Sequence, residues 1–557
     1  MRATRALHAL QSGAMQLRPA QAEGVAASGT PTPAAFQGRD WPALPAVAVV
    51  VIVLVRLGFD KGGYFPAAFT SAGALAFIAL AILVVRPAQE RVSTHTLIAA
   101  GSLAAFACWI GLSRTWSVVP DVPLLDMRRA MLYLALFGLG LIAADTGRHA
   151  RVLVWSVLGV IVVLVGAGLL SRLQPDLVTT TPDEFAALFY RLDYPLGYWN
   201  AFGALASLGT VLALGLAADG RGNAILRAAA TGAVVLLAAA MYMSLSRGAW
   251  LALIVGLVVL VALAPNRGSL LLTLLVAGGA AAVAIIRLRH YPALVFDAKV
   301  GTGQATQGSA YIRELLALVL LAAGVQGALA TVRVASALED QMHTIRRIAL
   351  VGVGLAVVVA AVVGYAAKGN EAEGGVTAAA NDANRWLDRQ WQDFLDPTLM
   401  PDGGTGRLLT ARGVRSDYYR VALDAFKDDP LVGGGAGSSE VRYARERRVD
   451  EKVRDIHSLP LETLSELGAV GLLLLLGFLG AVVAAARRAV GGKGAIRPAE
   501  AAAVTAAFAV WLGHACVDWD WEMPALTGTA IVLSAALFQR GRRRRSRSHR
   551  LAAGSAA

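Results

Sequence analysis

Long apolar runs separated by short polar or basic turns make up most of the chain. They fall near 43–59, 65–86, 95–113, 130–145, 150–171, 199–218, 228–246, 248–265, 269–287, 311–332, 348–367, 459–486, 499–517 and 523–538. Most have the ~17–25 residues a helix needs to cross a hydrocarbon core, and the ~10-residue alternation of barrel strands is missing. The pattern predicts an all-α polytopic membrane protein with about fourteen transmembrane helices. Residues 43–367 then form a helix bundle and 459–538 add the C-terminal spans. Between them, 368–458 is polar enough to be a large helical loop or cap. It holds the helix-like stretches "ANRWLDRQWQDFL", "SDYYRVALDAF" and "VRYARERRVDEKVRD" and a glycine turn, "DDPLVGGGAGSS".

Composition agrees with the pattern. A mean hydropathy of +0.57, with 56% hydrophobic and 16% charged residues, excludes an ordinary soluble protein of this size. Residues 1–42 have no central hydrophobic region of signal-peptide type and are expected to form a disordered cytoplasmic tail. Cys108 and Cys516 each lie inside an apolar run, so neither a disulfide framework nor a thiolate metal site is suggested.

The basic tail explains much of the formal charge of +13, and Lys and Arg in the short loops mark the cytoplasmic side. An inside N-terminus puts Arg86, Arg91, Arg148, Arg151, Arg221, Arg227, Arg267, Arg333, Arg346, Arg347, Arg487, Arg488, Lys493, Arg497 and the tail 539–557 all in the cytoplasm. The tail reads as an orientation anchor on anionic lipid rather than a nucleic-acid site. The same topology makes 368–458 extracytoplasmic.

The informative residues are the outer ones. Arg247, in "SLSRGAW", sits at a hairpin apex between two apolar runs. It reads either as a snorkelling arginine or as a cation facing a cavity or partner. Arg415 precedes Ser416, a good N-cap, and Arg191 precedes an outer turn leading into a span. Together the three would form a basic funnel suited to a diphosphate, because guanidinium forks match phosphate oxygens bidentately.

His457 lies before a helix start, with Ser458 as N-cap, Pro460 in the first turn and Glu462 and Glu466 one turn apart. The helix terminus favours a neutral ring and the glutamates an imidazolium, which predicts a pKa usable near neutrality. Catalysis and a satisfied structural histidine both fit. His514, Asp518 and Asp520 mark another outer turn, open between sugar binding and hairpin capping. Tyr418, Tyr419, Trp386 and Trp391 suit the membrane interface or sugar stacking. Gly433, Gly434, Gly435 and Gly437 suit a tight turn, since no Lys-Ser/Thr follows to make a phosphate cradle.

"HSLPLETLSELGAVGLL" resembles the signature of the O-antigen ligase and polymerase family of membrane glycosyltransferases, a histidine opening a helix followed by Leu-Glu and a later Glu-Leu-Gly. "RSDYYRVALDAFKDDPLVGGGAG" is similar to the family's segment from Arg through an aromatic to Pro and a glycine turn. "SLSRGAW", "RLDYPLGYWNAFG" and "LSRTWSVVPD" look like its Ser-Arg-Gly hairpin, its turn ending in Asn and its early Trp-Ser loop. Departures are Ser458, where Asn is common, and Pro460, where an aromatic is usual.

The resemblance implies transfer of a glycan from a polyprenyl diphosphate carrier to an acceptor hydroxyl outside the membrane, with inversion and with neither metal nor cofactor. It implies His457 as general base and Arg247, Arg415 and Arg191 holding the diphosphate, with Glu462 either orienting or polarising the imidazole or only complementing the helix dipole. Expected partners are the lipid-linked donor, a glycan, lipid or protein acceptor and membrane lipids, with no nucleic acid. In the sequence, no acidic cluster with the ligand count of a Mg²⁺ cage stands out. A polymerase of lipid-linked repeats would use the same chemistry. A small-anion transporter would predict repeated halves with mid-membrane charges, whereas the chain shows no internal repeat. A glycan-binding scaffold is the non-enzymatic alternative.

Overall fold

A computed structural model describes residues 43–84, 92–178, 191–295, 303–331, 376–399, 408 and 410–539. These form helices α1 (Ala43–Phe59), α2 (Pro66–Val84), α3 (Thr94–Leu112), α4 (Val122–Ala143), α5 (Gly147–Leu173), α6 (Trp199–Ala217), α7 (Ala224–Met243) and α8 (Arg247–Leu263). Next come α9 (Arg267–Thr273), α10 (Gly279–Leu288), α11 (Pro292–Val295), α12 (Gln304–Thr331), α13 (Val376–Leu395), α14 (Arg415–Asp428) and α15 (Ser438–Glu446). The last are α16 (Leu459–Arg488), α17 (Pro498–Ala515) and α18 (Pro524–Ala535). Every predicted apolar run coincides with a helix except 348–367, which lies outside the described residues, as do the N-terminal tail and residues 540–557.

Among the described residues, eight helical segments are long and apolar enough to cross a membrane, and three shorter apolar helices accompany them. A helix closes its own backbone hydrogen bonds, which is why apolar runs adopt it in lipid. The protein is an all-α polytopic membrane protein. The run at 269–287 carries a π-turn, Leu274–Gly278, between α9 and α10, a local insertion in an otherwise continuous span.

α6 is buried along its whole length. Small residues let its neighbours approach closely: Gly203 faces Ala249 of α8, and Gly215 faces Ala503 of α17. One end of α6 is basic. There Arg497 Nε lies 2.9 Å from Asp219 Oδ2, Arg497 Nη1 donates to the Arg221 carbonyl at 2.8 Å and Arg227 Nε donates to the Ala217 carbonyl at 2.8 Å. The candidate site gathers at the opposite end, around Tyr198 and Asn200.

The polar segment after residue 376 packs a small core of Tyr418, Val421, Ala422, Tyr443, Val453 and Ile456. Two local expectations differ. The helix of "SDYYRVALDAF" begins at Arg415 itself, Val414 takes the cap position, and Ser416 Oγ is buried with no hydrogen-bond partner among the described residues. "VRYARERRVDEKVRD" is helical only to Glu446. Beyond it the chain is drawn away, because Asp417 Oδ2 accepts from the Arg448 amide at 2.9 Å and Val453 and Ile456 join the small core.

Candidate active site

Asp518, fully buried in the turn after α17, is the hub. Its Oδ2 accepts from Arg415 Nη2 at 2.5 Å and from Asn200 Nδ2 at 2.7 Å. Its Oδ1 accepts from Tyr198 Oη at 2.7 Å and from the Trp519 amide at 3.0 Å. Burial alone would raise its pKa, but Arg415, then His457 and His514, pull it well below the usual carboxylate range. The ion pair in turn holds Arg415 firmly protonated against burial. Donors from two distant chain segments, 198–200 and Arg415, therefore converge with the neighbouring Trp519 amide on one carboxylate, which no local spacing in the sequence announces.

His457 stands beside this hub. Its ring centroid is 5.3 Å from that of Tyr418 and 6.1 Å from that of Trp519. Nδ1 lies 2.8 Å from the Asp455 carbonyl, and the contact assigns the proton to Nδ1 and leaves Nε2 with a lone pair. The residue adopts φ +59°, unusual for a non-glycine residue. Two bonds hold the backbone there: Glu462 Oε2 accepts from the Ile456 amide at 2.9 Å, and Tyr419 Oη donates to the His457 carbonyl at 3.2 Å. Glu462 thus bears on the chain before the histidine rather than on its ring. Burial drives the His457 pKa down to about 4, with Arg415 acting the same way and Asp518 opposing both. The near-neutral expectation overlooked this desolvation.

Arg247 opens α8, where Ser246 Oγ caps the Ala249 amide at 3.2 Å. Its guanidinium donates to the Thr410 carbonyl and to the Arg412 carbonyl at 3.1 Å, in the strap leading to Arg415. Behind it, His514 Nδ1 lies 2.8 Å from both Asp520 carboxylate oxygens. His514 Nε2, buried and without a hydrogen bond among the described residues, sits 2.9 Å from where a side chain on Gly248 would begin. Arg191 is buried. It donates to the Ser244 carbonyl at 2.9 Å, the Leu245 carbonyl at 3.1 Å and Asn200 Oδ1 at 2.9 Å, and it stacks over Trp199 at 4.5 Å. It joins the apex that carries Arg247 to the Asn200 that contacts Asp518.

The glycine turn has a structural task. α16 breaks at Gly468 (φ 64°, ψ −167°), freeing backbone groups that need partners. The turn supplies them. Gly434 and Gly435 amides donate to the Ser465 and Glu466 carbonyls at 3.0 and 2.8 Å, and the Ala469 amide donates to the Pro430 carbonyl at 2.9 Å. Gly433 and Gly468 lie against opposing backbone too closely for a Cβ. This lock sets the direction in which α16 leaves the loop carrying His457.

A cavity of about 40 Å³ lies beside the lock, lined among others by Asp126, Arg129, Glu462, Glu466, Trp521 and Glu522. Arg129 Nη1 is 3.2 Å from Asp126 and 3.5 Å from Glu522. Carboxylate oxygens of Asp455, Glu462 and Glu522 lie within 4.8 Å of one another, a group that could hold a cation. Burial raises the Asp455 pKa to about 6 and that of Glu522 well above its usual range, so these groups favour holding protons. The sequence showed no such cluster because its members are far apart along the chain. A usable signal was Arg129, a cation flush against an apolar run.

The structure thus brings His457, Arg415, Asp518, His514, Arg247, Arg191 and Glu462 to one end of the bundle. It adds Tyr198, Asn200 and Trp519, to which sequence reasoning gave no role. No curated protein matches the chain. Residues 314–476, from α12 through the glycine turn and His457 into α16, match the family model described as O-antigen ligase, so this part of the polytopic membrane protein is similar to the O-antigen ligase domain.

Proposed function

We propose that the protein transfers a glycan from a polyprenyl diphosphate carrier to an acceptor hydroxyl at the extracytoplasmic end of the bundle, with inversion and without a metal. The observation that carries this reading is the meeting of His457 and Arg415, both within the segment that matches the ligase model, with Asp518 from the turn after α17. The acceptor oxygen attacks the anomeric carbon and passes its proton to His457 Nε2. The polyprenyl diphosphate leaves from the opposite face. Arg247 and Arg415 stabilise the charge on the leaving oxygens, a task for which fixed donors in a poorly hydrated site are well suited.

A histidine with a pKa near 4 is a weak base until the donor arrives. The diphosphate supplies the missing charge: it offsets Arg415 and favours the imidazolium, so proton acceptance strengthens only when the donor is bound. Asp518, Arg191, His514 and Glu462 act as positioning residues, the first for Arg415, the next two for the Arg247 apex and the last for the His457 loop.

Purified protein in proteoliposomes with a polyprenyl diphosphate-linked glycan tests the reading. His457→Ala is expected to lose transfer and keep donor binding, and Arg247→Ala to weaken donor binding. EDTA is expected to leave transfer intact. Unchanged transfer by His457→Ala removes the base assignment, and loss of transfer in EDTA removes the metal-free mechanism.

A further inference from the structure

Helix α13 carries three large apolar side chains at four-residue spacing, Leu387, Trp391 and Leu395, exposed by 56%, 59% and 48%. Such spacing places them in one stripe. Arg385 and Arg389 project from the other side and are exposed. The flank beside the stripe is engaged with the protein. Gln390 Oε1 accepts from the Ala411 amide at 2.7 Å, Asp393 Oδ2 lies 3.1 Å from Arg412 Nε, and the Phe394 ring is 6.3 Å from that of Tyr419. Among the described residues the stripe therefore remains uncovered while the helix is fixed.

We infer that α13 is a membrane-docked helix whose Leu387–Trp391–Leu395 stripe lies in the lipid interface beside the site. Three observations select lipid over other occupants. The composition, with tryptophan and leucine on one face and arginine on another, is that of helices lying in the interfacial plane. Tryptophan concentrates at that depth. The helix is also continuous with the membrane bundle, because it is tied to α14, which packs on α16 where α16 enters the bundle.

Docking has a consequence for the site. The strap held by Gln390 and Asp393 is the same strap whose carbonyls, at Thr410 and Arg412, hold the Arg247 guanidinium. Lipid contact at α13 thereby fixes the ground on which Arg247 stands.

Nitroxide accessibility tests the docking without any transfer assay, so its failure and that of the functional reading are separable. Cys108 and Cys516, the free cysteines, are replaced by serine. Trp391→Cys and, separately, Arg389→Cys are then spin-labelled in nanodiscs of phosphatidylethanolamine and phosphatidylglycerol. The ratio of oxygen to nickel-chelate collision rates is expected to be severalfold higher at 391 than at 389. Equal ratios, with the nickel chelate reaching both, would show the stripe in water and overturn the inference. Exclusion of both reagents at 391 would show a protein partner there and overturn it equally. Both labelled positions are exposed, so neither substitution empties a core.

Discussion

Arg415 Nη2 stands 2.5 Å from Asp518 Oδ2, and the carboxylate is fully buried while the arginine side chain keeps 29% exposure. The pair is therefore asymmetric: Asp518 is fixed by Tyr198, Asn200 and the Trp519 amide, and Arg415 is the partner able to turn toward a ligand. Asp518 both aims Arg415 and competes with a diphosphate for it. Asp518→Asn is expected to lower kcat by about tenfold or more, equivalent to ~1.4 kcal/mol per decade, while donor affinity stays the same or tightens. A parallel loss of donor affinity and kcat would show that Asp518 does not compete for Arg415.

The pH dependence follows from His457. Its pKa falls from an ordinary 6.5 to about 4, so between those values the folded state binds fewer protons than the unfolded chain. Its contribution to stability is present above pH 6.5 and is lost as the pH falls toward 4. For activity, the acid limb of kcat/KM, which reports the free enzyme, is expected near pH 4 to 5. The limb of kcat should lie higher, because bound diphosphate favours the imidazolium. A kcat/KM limb at 6.5 would contradict the desolvated ring.

The helices were legible because 3.6-residue turns in lipid require long apolar runs and little else. Even the short run at 130–145 coincides with a helix, α4, which ends at Ala143 and extends upstream to Val122 through residues too charged for a hydropathy window. The histidine, the arginines and the turn at 514–520 were legible because charge at the edge of an apolar run is costly and draws attention. Their pairing was not. That Arg415 meets Asp518 and that Asp455 meets Glu522 depends on how helices distant in sequence pack. The turn carrying Tyr198 and Asn200 has no mark in the sequence of its partner Asp518, which only packing sets against it. The break at Gly468 was hidden for the opposite reason: "ELGAVGLL" reads as continuous helix, and only the approach of the glycine turn shows where the freed backbone groups find partners.

The lock at Gly468 makes a sharp stability prediction. A Cβ there would lie 2.2 Å from the Leu431 carbonyl oxygen, and the backbone region it occupies is nearly closed to other residues, at a cost of ~1–3 kcal/mol before the clash. Gly468→Ala is expected to lower the melting temperature in detergent markedly. Gly480→Ala, in the same helix with open space around it, should be neutral or gain up to about 1 kcal/mol from helix propensity. Equal melting temperatures for the two variants would mean that α16 can run straight and that the glycine turn does not lock it.

The buried carboxylates make the opposite pH prediction from the histidine. Asp455 has its pKa raised to about 6, first by burial and then by Asp126 and Glu440, against the pull of Arg454 and Arg129; Glu462 and Glu522 face it from α16 and the turn before α18. An acid whose folded pKa exceeds its unfolded value holds extra protons when folded, so stability falls as the pH rises from about 4 through 6. Asp455→Asn removes the charge and keeps the shape. The variant should therefore melt above the native protein at pH 8, and the difference should shrink toward pH 4.5. A difference independent of pH would show that Asp455 is ionised throughout. Magnesium or calcium raising the native melting temperature at pH 8, but not that of the variant, would show that a cation rather than a proton balances the cluster.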